Sequence, residues 1–310
     1  MPLAPAAQAL LDLGHWLLAS GYHFITVTPA THARVLAREG ARSARSLRDA
    51  FGWSLPFDRG ALPERAWALL EAAGALAPAG GRWRSAVRFS SLGGALYAHS
   101  AYPTDDTDAV FFGPDTYRFA AFLARHVAPT GCVVDVGCGA GSGGLAWAGR
   151  AERIVLADVN PRALALAEVN AALAGAPGVE LVRSDVLDGV GGGPPDVVVA
   201  NPPYLVDESE RAYRHGGGGL GTDLSVRIVR EALARVRPGG RVLLYSGAPV
   251  VDGRDLLRAA LVPALEAAGA RYEYEELDPD VFGEELERPA YARAGAERIA
   301  VVGVTATAPA

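Results

Sequence analysis

At 310 residues, half of them hydrophobic, the chain can form one large or two modest globular domains, which excludes a disordered or fibrous protein. Its net charge of −6 is unevenly spread: residues 1–100 carry ten Arg against six acidic side chains and residues 101–310 carry 19 against 29, too acidic a larger part to wrap nucleic acid over its whole surface. Two cysteines, Cys132 and Cys138, are too few for a disulfide framework or a four-ligand zinc site, so no metal is expected and a reducing cytoplasm fits.

All 29 basic residues are arginine, a bias that a GC-rich genome explains. The N-terminal stretch reads as an amphipathic helix over 5–20, without the basic start of a signal peptide, and no apolar run reaches membrane-spanning length. Further helical stretches fall at 31–38, 43–51 and 62–76, the last with Pro63 at its start. APAGGRWRSAVRFSS (77–91) then reads as a turn and a β-hairpin arm carrying Arg82, Arg84 and Arg88 around Trp83 and Phe89. Three helices followed by a hairpin is a winged-helix-like order. Either this arm is a basic wing for a nucleic acid or a partner, or the segment is a helical cap over a substrate entrance with solvated Arg stems. The expected boundary lies near SAYPTDDTD, dividing the chain into 1–105 and 106–310.

From about residue 110 strands and helices alternate. CVVDVG (132–137) is a first strand, followed by glycines and a helical stretch. RIVLADV (153–159) is a second strand, with a helix from Pro161 to Gly175 after it. VELVRSDV (179–186) and DVVVAN (196–201) are the third and fourth. A helix over 224–236 stops at Pro238-Gly239-Gly240, and RVLLYSG is the fifth strand. After one more helix, ARYEYEEL and ERIAVVGVTA can pair as a final hairpin. Apolar strands without strict alternation predict a sheet covered on both faces and parallel in its first five strands, a doubly wound α/β domain.

The loop after strand one is Asp135-Val-Gly137-Cys-Gly139-Ala-Gly141-Ser-Gly143-Gly144. Glycines there let the backbone curl tightly against a ligand, and Asp158 at the end of strand two can accept hydrogen bonds from ribose hydroxyls. Both features serve a nicotinamide dehydrogenase as well as a methyltransferase. Three others separate them. Asp135, inside the strand end, suits an ammonium-bearing ligand such as the methionine moiety of S-adenosylmethionine. Asp185, ending strand three, stands where it can bind an adenine amino group. Strand four ends in Asn201-Pro202-Pro203-Tyr204.

With these motifs, residues 110–310 resemble class I S-adenosylmethionine-dependent methyltransferases, whose seven-stranded Rossmann-like sheet the resemblance implies. The NPPY corner resembles that of N-methyltransferases acting on planar amino or amide nitrogens, with HemK/PrmC-type glutamine enzymes and adenine- or guanine-directed enzymes nearest. VFFGPDTYRF (110–119) is similar to the segment preceding strand one in relatives of HemK, which implies that Phe112, Asp115 and Thr116 close over the cofactor. Cofactor residues on this reading are Phe112, Asp115, Thr116, Asp135, Gly137, Gly139, Gly141, Asp158, Asp185 and Asn201.

The conjugated nitrogen of an amide or a base is a poor nucleophile. Two acceptors on its N–H groups, the side-chain carbonyl of Asn201 and the backbone carbonyl of Pro202, would turn its lone pair towards the methyl group, while Tyr204 stacks on the planar group. These three are the expected catalytic residues. The Gly-rich run after Arg214-His215 reads as a mobile loop over the pocket or a solvated linker, with Tyr213, Arg214 and His215 as candidate substrate contacts. Three hypotheses remain. The acceptor is a macromolecule (a nucleic-acid base or a protein glutamine), or a small-molecule amine with residues 1–105 as a lid, or the chain is a nicotinamide-binding Rossmann protein.

Overall fold

The computed structural model describes residues 3–40, 42–176, 178–206 and 216–310. Helix α1 (Pro5–Ala19) starts on a proline and buries Leu10, Leu13 and Leu17, one face at helical spacing. Short helices α2 (Pro29–Leu36), α3 (Leu47–Phe51) and α4 (Glu64–Ala72) follow, α2 capped by the Thr28 hydroxyl, which accepts from the Thr31 N–H at 3.1 Å. Strands β1 (Leu76–Ala79) and β2 (Arg82–Ser85) form the expected hairpin, turning through Gly80 and Gly81, both at positive φ.

The hairpin does not run on to residue 91. β3 (Val87–Leu92) pairs instead with β4 (Ala95–Ser100) in a second hairpin, turned by Gly93 and Gly94 at positive φ. Sequence analysis did not assign β4, although Gly-Gly between two apolar runs is a hairpin signal. Arg82 and Arg84 therefore lie in one hairpin and Arg88 in another.

After α5 (Pro114–Ala124), β5 (Thr130–Val136), β6 (Ala151–Asp158), α6 (Pro161–Leu173), β7 (Val179–Arg183), β8 (Val197–Ala200), α7 (Gly218–Gly221), α8 (Asp223–Arg235) and β9 (Arg241–Val251) build the parallel part of the main sheet. β10 (Arg254–Asp255) folds back on β9, and α9 (Leu256–Ala267), β11 (Arg271–Asp278), α10 (Pro289–Ala294) and β12 (Ala296–Thr307) complete the chain. The strand order is β11-β12-β9-β8-β5-β6-β7, seven strands with β10 off the path. The parallel segment is β7-β6-β5-β8-β9, and β12 is antiparallel to both its neighbours. This is the doubly wound, Rossmann-like architecture expected.

Two details differ. The helix expected after the glycine loop is a single 3-10 turn, Gly144–Trp147, because only 14 residues, rich in glycine, separate β5 from β6. β11 and β12 do pair, but residues 279–295 between them hold a 3-10 turn and α10 in place of a hairpin turn.

The parallel strands send alternate residues to two buried faces. Val133, Ile154, Val197 and Leu243 face a core continuous with the N-terminal helices, while Val134, Val155, Val198 and Leu244 face α8 and α9. Asn170 on α6 ties the second hairpin down: its amide accepts from the Ala98 N–H at 2.7 Å and donates to the carbonyls of Ala98 and Ala140, each at 2.9 Å. All three bonds are buried, where an unmade one costs most. Among the described residues no helix is long and apolar enough to cross a membrane.

Candidate active site

Register brings the motif residues to one edge. Val136 pairs with Ala157 on one side and Ala200 on the other, so Gly137, Asp158 and Asn201 leave the sheet side by side at its carboxyl end. β5 and β8 flank the reversal of strand order, where such sheets bind ligands. Gly137, Gly139 and Gly141 take φ of 66°, 52° and 82°, the left-handed region that glycine enters without steric penalty. The curled loop turns its N–H groups onto carboxylates. Gly144 donates to Asp135 at 2.7 Å and Gly139 donates to one Asp158 oxygen at 2.9 Å, while Asn160 donates to the other at 2.9 Å.

A cavity opens over this edge, walled by Asp135, Gly137, Gly139, Asp158, Asn160, Asp185 and Asn201, with Val110, Phe111 and Thr116 across from them. Among the described residues, three carboxylates and no basic side chain line it. Such walls repel a pyrophosphate and suit a ligand carrying sulfonium and ammonium charges, so the residues present fit S-adenosylmethionine. Burial pushes the Asp135 carboxyl up to about 7, opposed by the Gly144 N–H and reinforced by the charge of Asp158. Asp158 is also raised, again by burial.

A second cavity lies on the other side of the NPPY corner. Asn201, Pro202 and Pro203 wall both cavities, and so does Phe111; Pro29, Thr104, Asp115, Tyr204, Leu205 and Phe282 line only the second. The Tyr204 ring is buried against Gly247, where a Cβ would come within 2.1 Å of it, and is tilted against Phe282 at 6.1 Å. Its hydroxyl turns to the Asp115 carboxyl without reaching hydrogen-bond geometry, and Tyr245 donates to that carboxyl at 2.9 Å. Burial raises Asp115; the two tyrosines and Arg118 oppose it.

The corner is braced from behind by part of the Gly-rich run. Gly216 donates to the Leu205 carbonyl at 2.9 Å, and a Cβ on Gly221 would fall 2.2 Å from the Tyr204 carbonyl oxygen at a φ of 93°. Gly221→Ala is therefore expected to lower the unfolding midpoint by about 5 °C and methyl transfer by at least about tenfold, with cofactor affinity within about twofold of wild type. Calorimetry, cofactor titration and labelled-methyl counting measure the three quantities. Tyr213, Arg214 and His215 lie outside the described residues.

Of the expected cofactor residues, Thr116, Asp135, Gly137, Gly139, Asp158, Asp185 and Asn201 wall the first cavity. Phe112 does not. Its neighbour Phe111 does, because the extended backbone alternates sides, and Phe112 instead stacks on His99 at 5.0 Å in the core. Asp115 walls the second cavity instead of the first, one position away from Thr116 on α5. Gly141 shapes the loop without lining it. Asp185 is half exposed and held by Arg227, with both oxygens 3.0 Å from the guanidinium. Tyr204 offers an edge of a packed ring, not the free face expected. Sequence reasoning missed Phe111, Asn160, Tyr245 and Phe282. Asn160, two residues beyond Asp158 and just before Pro161, carried a helix-cap signal that could have found it.

The strand order reverses beside the glycine loop, and the acidic cavity and the Asn-Pro-Pro-Tyr corner meet at that reversal, an arrangement that fits S-adenosylmethionine as cofactor. Residues 110–260 match the family model described as the methyltransferase small domain. A release factor glutamine methyltransferase of Deinococcus radiodurans is 36% identical over 166 residues, 49% of this chain and 55% of the relative. A ribosomal RNA small subunit methyltransferase C of Chromohalobacter salexigens is 37% identical over 117 residues, 37% of this chain and 31% of the relative. The chain thus spans about half the length, or less, of these two relatives. Among solved structures, Trm5b from Pyrococcus abyssi superposes with a TM-score of 0.52 at 14% identity, covering 80% of this chain and 69% of that one, a likeness of fold.

Proposed function

We propose that the chain transfers a methyl group from S-adenosylmethionine to a planar amino or amide nitrogen of a macromolecule, a nucleic-acid base or a protein glutamine. One observation carries the reading: Asn201 and Pro202 wall both cavities, so a nitrogen held on the Tyr204 side faces the cofactor side across two acceptors. Bound in the acidic cavity, S-adenosylmethionine supplies an electrophilic methyl group on a sulfonium leaving group.

The residues' tasks follow from their positions. Asp135, ionised, pairs with the ammonium of the methionine moiety, and Asp158 accepts from the ribose hydroxyls. The Asn201 side-chain carbonyl and the Pro202 carbonyl accept the two N–H bonds of the target nitrogen and aim its lone pair. Both contacts strengthen as positive charge grows on nitrogen, which stabilises the transition state more than the ground state. The diproline fixes φ at both positions, so little ordering remains to be done when the acceptor binds. Phe111, Tyr204 and Phe282 enclose the planar group and exclude water.

The relatives named for protein glutamine and ribosomal RNA support a macromolecular acceptor, and two free cysteines support a cytoplasmic location. The deciding experiment incubates the full chain and labelled S-adenosylmethionine with ribosomal RNA, release factors and cell extract. Label in an amide or exocyclic nitrogen is the expected result. Label only on carbon or oxygen, or tight NADH binding with no affinity for S-adenosylmethionine, would overturn the reading.

A further inference from the structure

Next to the second cavity lies a recess that carries a charge with no counter-ion among the described residues. Pro29, Thr104 and Phe111 wall both, and the recess ends on Arg88, His32, His99 and Tyr102. Strand pairing puts Arg88 there. On β3, Val87 and Phe89 alternate with Arg88 and Ser90, and Arg88 sits directly across from His99 on β4. Phe89 packs edge-on against Phe51 in the apolar core, leaving Arg88 to the other side.

Arg88 is 4% exposed, and its Nε and Nη2 groups have no hydrogen-bond partner among the described residues. The guanidinium lies 5.5 Å from the centre of the Phe24 ring, and among the described residues the titratable groups acting on it are the phenols of Tyr22, Tyr117 and Tyr102, with no carboxylate. Burial lowers its pKa to about 10, so it stays charged at neutral pH. His32 and His99 are held well below the usual histidine range, by burial first and by Arg88 second, and are neutral there. A buried cation without a counter-ion is destabilising by itself, which points to a role in binding.

Geometry defines the missing partner. Nε–H and Nη2–H form one edge of the guanidinium and point in parallel, spaced for the two oxygens of a single carboxylate. His32 adds a further constraint. Its Nε2 donates to the Trp53 carbonyl at 3.0 Å, which leaves Nδ1 as a buried acceptor with no donor. The recess is smaller than either cavity at the NPPY corner, which favours a compact terminal head group over a phosphodiester flanked by two sugars.

We propose that this recess is a specificity subsite for a carboxylate carried by the methyl acceptor, its two oxygens accepting from Arg88 Nε and Nη2. A hydroxyl or amino group on the carbon next to that carboxylate would donate to His32 Nδ1. The acceptor then spans from the Asn201–Pro202 corner, where its nitrogen is methylated, past Phe111 to Arg88, where its acid is held. The assignment rests on the N-methyltransferase reading for taking the Tyr204 cavity as the acceptor side, and it narrows that reading to an acceptor with a free carboxylate, a chain terminus or a small molecule, in place of a nucleic-acid base or an internal glutamine.

The test uses the full chain with acetate, glycolate, inorganic phosphate and dimethyl phosphate as probes and chloride as the ionic-strength control. Thermal unfolding and calorimetric titration are the readouts. Glycolate and acetate are expected to raise the wild-type midpoint, glycolate more, while Arg88→Met shows no response and Arg88→Lys binds at least about tenfold more weakly. Arg88→Met without any probe is expected to unfold at a higher temperature than wild type, an outcome that a purely structural arginine would reverse. No carboxylate response in the wild type, an unchanged response in Arg88→Met or Arg88→Lys, or dimethyl phosphate binding above glycolate would each overturn the proposal. Phosphate above both carboxylates would reassign the head group and overturn it likewise. S-adenosylmethionine affinity, titrated separately, is expected to be the same in wild type and Arg88→Met; its absence in the wild type would count against the N-methyltransferase reading and not against this subsite.

Discussion

Asn201→Ala is expected to lower methyl transfer by about 10²–10³-fold while S-adenosylmethionine binds within about threefold of wild type, because truncation removes one of two acceptors on the target nitrogen. Asn201 walls both cavities, yet the cofactor retains Asp135, Asp158 and the glycine loop, so its affinity has other sources. Single-turnover transfer with labelled cofactor, together with a cofactor titration, separates the two effects. Equal losses in binding and transfer would mean that Asn201 holds the cofactor and does not aim the nitrogen. Asn201→Asp keeps an acceptor and is expected to retain more transfer than Asn201→Ala.

The second large effect is on pH. An unfolded aspartate ionises near 3.8, whereas burial holds Asp135 at about 7 in the folded chain. Between those values the folded state keeps a proton that the unfolded state has lost. Its stability therefore falls as pH rises through that window, by an amount on the order of 4 kcal/mol for this residue, and stays low above 7. Binding reverses the preference, because the ammonium of the cofactor needs the carboxylate. S-adenosylmethionine affinity is expected to rise with pH from about 5.5 to 7.5, approaching tenfold per unit at the acidic end, with uptake of the ligand releasing a proton. Asp135→Asn is expected to flatten that profile, to weaken binding, and to raise the unfolding midpoint of the free protein at pH 8. Calorimetric titrations in buffers of different ionisation enthalpy, with thermal unfolding at pH 5.5 and 8, measure all three.

Both effects come from residues that the sequence exposes, because their signals are local. The glycine loop with the acid two residues before it, and the diproline, each lie within a few positions of the β-branched run that precedes them. Each reports on its own backbone. Register then does the rest: once Val136 pairs with Ala200, Asn201 must stand beside Gly137. The reading failed where a side chain's direction depended on a neighbour far away in sequence. Phe111 and Phe112 differ only in which way an extended segment turns, and the core around His99 decides it. β4 was missed although its Gly-Gly turn was visible, because its pairing partner β3 had been assigned to the preceding hairpin.

Phe282 and Arg88 show the same limit more sharply. Phe282 reaches the second cavity from the segment between β11 and β12, strands that β9 separates from β8, and nothing near it in sequence marks that position. From the sequence, Arg88 reads as one of three arginines on a hairpin arm, either a basic wing or solvated stems on a cap. Strand alternation in a hairpin not foreseen turned it inward, into a recess without a counter-charge. The amino-acid sequence by itself determined the sheet, its loop and the chemistry at the strand ends, since short-range backbone constraints encode these. Only the tertiary structure decided which side chains face the second cavity and leave Arg88 unpaired, because burial and pairing belong to contacts between segments that the chain order keeps apart.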